Sequence, residues 1–275
     1  MKAKPFFPVG WRRLQRQSEQ ANDRVLLLDY DGTLTPIVRD PSAALLSKGM
    51  RDVLTRLAVQ KGITLGILSG RKLDQIRRLV RIPKILYGGN HGFELWIRGR
   101  KRVLAQANRF LPLVRMLGKE LSRRLDGFTG VWVEDKGITL SVHCRRCSAA
   151  DTAGILAICQ RLTSPWEARR QIRVTRGKKV YEIRPAIEWN KGKAVEFFLK
   201  QLPHPTGSRL VIYIGDDTTD EDAFIAVKKR GGWAIRVGGS REKTKASYYL
   251  GGIIQVHRLL TLFSKMETRN GSCGC

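Results

Sequence analysis

Aspartates in two short motifs carry the first chemical signal in this chain. Asp29-Tyr30-Asp31-Gly32-Thr33 ends the apolar run of residues 24–28, and Gly215-Asp216-Asp217-Thr218-Thr219-Asp220-Glu221-Asp222 ends a second one, residues 210–214. In an open parallel sheet the crevice lies outside the carboxyl ends of the strands, so two such loops, far apart in sequence, can converge there on one divalent cation. Asp29 emerges from the core as an anion that needs compensation. A cation supplies it, and the same cation can bind a phosphate oxygen while one carboxylate oxygen of Asp29 attacks phosphorus. Asp31 can reach the opposite side of the transferring group, where it must carry a proton to deliver one to a leaving oxygen; crowding by neighbouring carboxylates favours that. Gly32 allows a tight turn, and Thr33 with the exposed amides offers hydrogen bonds to an anion. Asp216, Asp217 and Asp220 complete the acid set, while Thr219, Glu221 and Asp222 suit the cap and first turn of a helix.

Two further motifs share this placement. Ser69-Gly70-Arg71 closes the apolar strand at residues 63–68 directly before a helix, where the Ser69 hydroxyl and the first amides make an anion cradle. Asn190-Lys191-Gly192 opens another helix and brings one ammonium to where it can neutralise phosphate charge. Each motif alone also fits a plainer role, as an Asp-rich turn, a helix cap or a surface lysine. Their joint occurrence at strand ends and helix starts points to phosphoryl transfer.

These positions demand a particular scaffold. From Arg24 onward the pattern predicts strand (25–29), helix (47–60), strand (63–68), helix (72–80) and strand (85–87), the alternation of an α/β doubly wound, Rossmann-like parallel sheet. Residues 88–92 break it, and 94–104 read as a hairpin turning through Gly99. Between Asn108 and Arg184 the order becomes helix (110–125), two strands around Asp135-Lys136-Gly137, helix (149–162) and two strands around Arg176-Gly177-Lys178, which is an inserted α+β unit with an antiparallel sheet. The first pattern then resumes with helix 191–201, strand 210–214, helix 220–229 and strand 232–237, followed by an apolar-faced helix at 253–263. The expected organisation is a core of 24–107 and 185–266 interrupted by a cap at 108–184, with an extended and then helical leader at 1–23 and a tail at 267–275.

Composition bounds the partners. Lys and Arg number 51 against 24 Asp and Glu in 275 residues, and the resulting +27 attracts anions of any kind. The basic residues are scattered and form no run of five or six, so they read as a solvated basic surface rather than a nucleic-acid groove. No stretch approaches the length of a membrane span and residues 1–11 lack the apolar core of a secretory signal, so the expected setting is the cytoplasm, without a membrane partner. Five cysteines, an odd number, argue against a disulfide framework. Cys144 and Cys147 have metal-knuckle spacing but no second pair to match, so they read as free thiols; Cys273-Gly274-Cys275 ends the chain.

The four motifs, in this order, resemble those of the haloacid dehalogenase superfamily of aspartate-nucleophile phosphotransferases, over the whole chain from about Arg24. The resemblance implies that Asp29 is the nucleophile, that Asp31 is the acid and then the base, and that Mg2+ is held by the Asp29 side chain, the Asp31 backbone carbonyl and Asp216, with Asp217 and Asp220 as further candidates and Lys191 and Ser69 assisting. Transport ATPases of that superfamily carry Thr at the second position, so Asp31 favours hydrolysis. Within it, Leu28-Asp29-Tyr30-Asp31-Gly32-Thr33-Leu34-Thr35-Pro36-Ile37, Ser69-Gly70-Arg71, Gly89-Asn90-His91-Gly92, Glu182-Ile183-Arg184-Pro185 and the run from Gly215 to Phe224 are similar to the motifs of the trehalose-6-phosphate phosphatase family. That similarity implies hydrolysis of trehalose 6-phosphate to trehalose and phosphate, with the insert as a lid over the sugar. It makes Thr33, Gly70, Arg71, Asn90, His91 and Arg184 substrate-binding candidates, and in the lid Glu134, Lys136, His143, Arg145, Lys178 and Glu182. The residues themselves put charged groups at two hairpin tips, 132–137 and around Lys178, where they can hydrogen-bond a sugar or simply face water. Lid residues, not the core motifs, separate this activity from a phosphatase acting on sucrose 6-phosphate or a glycosyl phosphoglycerate. The positive charge leaves a nucleic-acid-binding protein or polynucleotide phosphatase as the alternative of another class.

Overall fold

The computed structural model describes residues 3–38, 40–177, 179–205, 207–239 and 243–266. In chain order, β1 (Lys4–Pro5) and α1 (Val9–Gln20) lead into β2 (Asp23–Leu28), α2 (Lys48–Val59), β3 (Ile63–Leu68), α3 (Leu73–Val80), β4 (Leu86–Gly89), β5 (Glu94–Ile97) and β6 (Arg100–Val103). An insert follows: α4 (Ala105–Asn108), α5 (Leu111–Leu125), β7 (Trp132–Asp135), β8 (Leu140–His143), α6 (Ala149–Ala168), β9 (Ile172–Gly177) and β10 (Val180–Pro185). The chain returns with α7 (Lys191–Gln201), β11 (Arg209–Gly215), α8 (Glu221–Lys228), β12 (Trp233–Val237), β13 (Tyr248–Leu250) and α9 (Ile253–Ser264). Two compact units result, one from Met1–Arg102 with Trp189–Cys275 and the other Val103–Glu188. The second unit takes in residues 103–107 and 185–188 as well as 108–184, and Phe110 N bonds Ala107 O while Ala186 N bonds Gln171 O within it. Among the described residues no helix is long and apolar enough to cross a membrane.

The first unit is the doubly wound sheet that the alternation of elements predicts. Nine strands run β1-β13-β12-β11-β2-β3-β4-β5-β6. Neighbours from β1 to β4 pair in parallel, and β5 turns back antiparallel to β4. A strand buried on both faces needs a continuous apolar run, and β2 shows why. Leu26 and Leu28 pack with Val53 and Leu54 of α2 and Leu259 and Leu260 of α9, whereas Val25 and Leu27 pack with Val195 and Phe198 of α7 and Phe224 and Val227 of α8. Each such fully buried side chain contributes about 1.5–3 kcal/mol. Ser47 starts α2 by accepting a hydrogen bond from Met50 N at 3.2 Å.

Two short strands were not anticipated, and one expected helix is longer than its sequence pattern indicated. Residues 4–5 form β1 beside β13 instead of a plain leader, and Phe6 is buried edge-on against Trp233 and Tyr248 at 6.1 and 5.8 Å. β13 is only three residues long and is followed by Gly251 and Gly252, so no alternation marks it. Helix α6 runs past the expected end at 162, through Pro165 to Ala168. A proline forfeits one helical hydrogen bond, and Trp166 packing on the core beneath offsets that loss.

The second unit lays α5 and α6 on one face of an antiparallel sheet ordered β7-β8-β10-β9. Val114, Leu117 and Leu121 of α5 and Ile155 and Cys159 of α6 meet Leu140, Val142, Tyr181 and Ile183 from the strands. Cys144 and Cys147 are buried in that same cluster as free thiols.

Candidate active site

Strand parity aims the first acid. β2 and β11 pair with Leu27 opposite Tyr213 and Leu28 opposite Ile214, and Asp29 N bonds Ile214 O at 2.9 Å, so the ladder continues one residue past β2. Asp29 thereby follows Val25 and Leu27 onto the α7–α8 side. There its Oδ1 accepts from Lys191 Nζ at 2.6 Å, and Lys191, the first residue of α7, donates equally to Asp220 Oδ1 at 2.6 Å. Asn190 fixes that helix start by accepting from Lys193 N at 2.9 Å. All three charged side chains are buried.

The last motif comes in beside them. Ligand oxygens of Asp29, Asp216 and Asp220 lie within 4.8 Å of one another, the only such acidic or thiol cluster among the described residues. Thr33 Oγ1 donates to Asp216 Oδ1 at 3.4 Å. Gly32 has φ +83, and a Cβ there would run into the Asp216 carboxylate, so the two acidic loops approach as closely as a glycine permits. Burial raises the Asp29 carboxyl well above the usual range; Lys191 works against this, and Asp220 and Asp216 add to it. Burial and then Asp220 push Asp216 up to about 6. Burial works against the charge on Lys191, but Asp220 and Asp29 outweigh it and hold the ammonium charged.

Two acids behave differently from the sequence expectation. Asp217, expected among the cation's ligands, is exposed and its Oδ1 accepts from Thr218 N at 2.6 Å and Thr218 Oγ1 at 3.0 Å. It is the cap of the turn at Thr218–Asp220, a role the sequence reading gave to Thr219. Asp31, expected to be crowded by carboxylates, instead meets a cation: Arg71 Nε and Nη2 donate to its Oδ2 and Oδ1 at 2.7 and 2.6 Å. A guanidinium fork matches a carboxylate in this way, and the Asp31 side chain outside the three-acid cluster is 36% exposed, open to a partner.

The anion cradle and the Gly89–Gly92 turn come together through their backbones. Ser69 Oγ accepts from Arg71 N at 3.1 Å, Ser69 O from His91 N at 2.9 Å, and Arg71 O from Asn90 N at 2.7 Å. Asn90 and His91 both take left-handed conformations, φ 50 and 56, which cost energy and persist only where the surroundings dictate them. One such constraint is Glu94, whose Oε2 accepts from Asn90 Nδ2 at 2.7 Å and Leu73 N at 3.2 Å while Oε1 holds Lys101 Nζ at 2.7 Å. The His91 ring lies over Gly70, where a Cβ would strike it.

In the second unit the face opposite the helices is polar. Glu134, Ser141, Glu182 and Thr175 stand in register across the four strands. Lys136, expected at a wet hairpin tip, is 8% exposed and reaches back over this row, with Nζ at 3.9 Å from Glu134 and 3.8 Å from Glu182. His143 Nε2 lies 2.9 Å from Glu134 Oε2, and Arg184 sits 3.7 Å from Glu182. Trp132 stacks on His143 at 3.9 Å between ring centroids. Arg145 is exposed in the following turn, and Lys178 lies outside the described residues.

Sequence reasoning missed three contributors: Tyr213, whose hydroxyl donates to Asp220 Oδ1 at 2.6 Å, Glu94, and Thr175. Tyr213 and Glu94 sit inside apolar runs, and the one signal available was a polar atom on an otherwise buried strand.

A sequence model of the trehalose-phosphatase family matches residues 27–253. Trehalose-phosphate phosphatase B of Arabidopsis thaliana is 36% identical over 247 residues, covering 86% of this chain and 65% of its own length. The trehalose-phosphate phosphatase of Mycobacterium tuberculosis (strain ATCC 25618 / H37Rv) is 40% identical over 213 residues, covering 77% of this chain and 53% of its own length. The chain thus spans less than two thirds of either relative. Among solved structures, the C-terminal domain of C. albicans trehalose-6-phosphate phosphatase superposes with a TM-score of 0.79 at 25% identity, covering 98% of this chain and 100% of that one. With the acid cluster, the buried lysine and a match running from β2 into α9, this chain belongs to the trehalose-phosphatase family.

Proposed function

We propose that this chain hydrolyses trehalose 6-phosphate to trehalose and inorganic phosphate. The observation that carries the reading is the buried Asp29 carboxylate, held on Lys191 beside Asp216 in a chain of this family. Asp29 attacks phosphorus in line and the bond to the sugar's 6-oxygen breaks, with Asp31 giving that oxygen its proton. Asp31 then takes a proton from water, which attacks phosphorus in the aspartyl-phosphate and regenerates Asp29. Lys191 offsets the charge that spreads over the transferring group. Both carboxylate oxygens of Asp31 accept from the Arg71 guanidinium. A phosphate dianion is the natural competitor for Arg71, so substrate binding itself frees the acid.

The donor set suits magnesium. Three clustered carboxylates face one ammonium, and hard oxygen ligands with uncompensated negative charge favour a hard divalent cation. Asp29 and Asp216 are the residues to hold it, together with the Asp31 carbonyl, since Asp220 already accepts from Lys191, Tyr213 and Asp217 N. Bound there, magnesium supplies Lewis-acid polarisation of a phosphoryl oxygen and charge neutralisation. Glu134, Lys136, His143, Glu182 and Arg184 are assigned to the hydroxyls of the sugar, since a polar row on a rigid sheet can select a hydroxyl pattern.

The test is phosphate release from a panel of sugar phosphates with and without magnesium. Trehalose 6-phosphate is expected to lead sucrose 6-phosphate and glucose 6-phosphate, and Asp29→Asn is expected to abolish turnover while the chain still folds. Equal rates across the panel would remove the trehalose assignment, and an active Asp29→Asn enzyme would remove the nucleophile.

A further inference from the structure

Among the fully buried tyrosines of the first unit, Tyr213 uses its hydroxyl differently from the other one. A buried phenol needs an acceptor, and Tyr30 finds a backbone carbonyl, that of Ala44, at 2.7 Å. The nearly buried Tyr87 does the same with Ile82 O at 2.6 Å. Tyr213 instead donates to a carboxylate, at 2.6 Å from the Asp220 oxygen that also receives the Lys191 ammonium. Its ring is fixed in the core, edge-on to Phe224 at 5.8 Å. A line of three short contacts therefore runs from Tyr213 to Asp220, from Asp220 to Lys191, and from Lys191 to Asp29, each 2.6 Å.

We propose that Tyr213 is a positioning residue for phosphoryl transfer: by fixing Asp220 Oδ1 it keeps the Lys191 ammonium on the attacking carboxylate of Asp29. This rests on the phosphatase reading above. Asp220 Oδ2 is anchored by Asp217 N at 2.9 Å, so loss of the phenol leaves the Oδ1 end of the carboxylate held only by the Lys191 ammonium. The carboxylate can then turn about its last bond and carry Lys191 with it, away from Asp29. Displacements of a few tenths of an ångström at a group that stabilises transferring charge lower turnover without weakening the binding of a sugar.

The experiment is a double-mutant cycle on the full chain with magnesium, using Tyr213→Phe, Asp220→Asn and both together, with p-nitrophenyl phosphate and trehalose 6-phosphate as substrates. Tyr213→Phe is expected to lower kcat about tenfold on both, the loss of one hydrogen bond to a charged group, with KM within about twofold. In the Asp220→Asn background it is expected to lower kcat no further, because its effect passes through Asp220. A Tyr213→Phe enzyme with normal kcat overturns the proposal, as does a loss that multiplies with that of Asp220→Asn. Should Asp220→Asn fail to fold, the 15N resonance of Lys191 Nζ decides the matter in Tyr213→Phe: a shift supports the proposal and an unmoved resonance overturns it. Wild-type protein that cleaves p-nitrophenyl phosphate but not trehalose 6-phosphate overturns the sugar assignment alone and leaves the cycle readable. Wild-type protein inactive on both overturns the phosphatase reading and this proposal with it.

Discussion

Replacing Lys191 with methionine keeps a stem of similar length and removes one charge from the most enclosed place in the site. Lys191 is 2% exposed and donates to two carboxylates at 2.6 Å, one 7% exposed and the other fully buried. The gross attraction at such a separation is about 6 kcal/mol per pair at an effective dielectric of about 20. Much of that only compensates the burial of the charges, and removing one partner from a buried pair costs about 3–5 kcal/mol because the other is left uncompensated. A domain stable by about 5–15 kcal/mol survives that loss, so Lys191→Met is expected to fold with a melting temperature lower by about 10 °C and no measurable turnover. Adding Asp220→Asn removes one of the stranded charges and is expected to return about half of the lost stability. The assay is urea unfolding in EDTA followed by tryptophan fluorescence, with linear extrapolation for the four proteins of the cycle. A cost below about 1 kcal/mol for Lys191→Met, or strict additivity with Asp220→Asn, would refute an ammonium enclosed between two carboxylates.

Gly32→Ala adds a Cβ against the Asp216 carboxylate at a backbone φ of +83, so turnover is expected to fall at least about a hundredfold and stability by about 1–2 kcal/mol; an enzyme at half the wild-type rate would contradict the close approach of the two loops. At alkaline pH, burial pushes the Tyr87 phenol up to about 12, as it does the Tyr30 phenol and the Cys159 thiol. A raised value means stability that is complete below the ordinary phenol range near 10 and lost as pH rises towards about 12, about 3 kcal/mol for Tyr87. Tyr87→Phe is therefore expected to flatten the fall of stability between about pH 10 and 12 in denaturant titrations, and an unchanged slope would show that the phenol is not the group responsible.

Much of the fold was legible because its demands fall on composition. A parallel strand covered on both faces must be apolar throughout, and residues 24–28, 63–68 and 210–214 announce β2, β3 and β11 for that reason. The insert was legible through a change of rhythm, since helix and hairpin pairs cannot continue a parallel sheet. What escaped were elements defined by partners instead of by pattern. β1 is two residues, Lys4 and Pro5, that count as strand only because Tyr248 and Tyr249 lie beside them, and α6 outruns Pro165 only because Trp166 has a core to cover.

The site divides along the same line. Asp29 and Asp216 were readable because a charged residue at the end of an apolar run has few other reasons to be there, and Lys191 because it opens a helix beside them in the same order of motifs. Asp217 and Asp31 were readable as acids but not as neighbours: whether a carboxylate caps a turn, grips a guanidinium or crowds another carboxylate depends on distances of a few ångströms that spacing does not contain. Tyr213 is the instructive omission. Within Val211-Ile212-Tyr213-Ile214 it reads as one more bulky strand residue, yet its hydroxyl shares an Asp220 oxygen with the lysine that holds Asp29. The register that sets Tyr213 opposite Leu27, two residues before Asp29 and on the same face, would have placed it there. The missing quantity was a strand pairing, not a chemical preference, and a single pairing between β2 and β11 turns an apparent core tyrosine into a hydrogen-bond partner of the acid cluster.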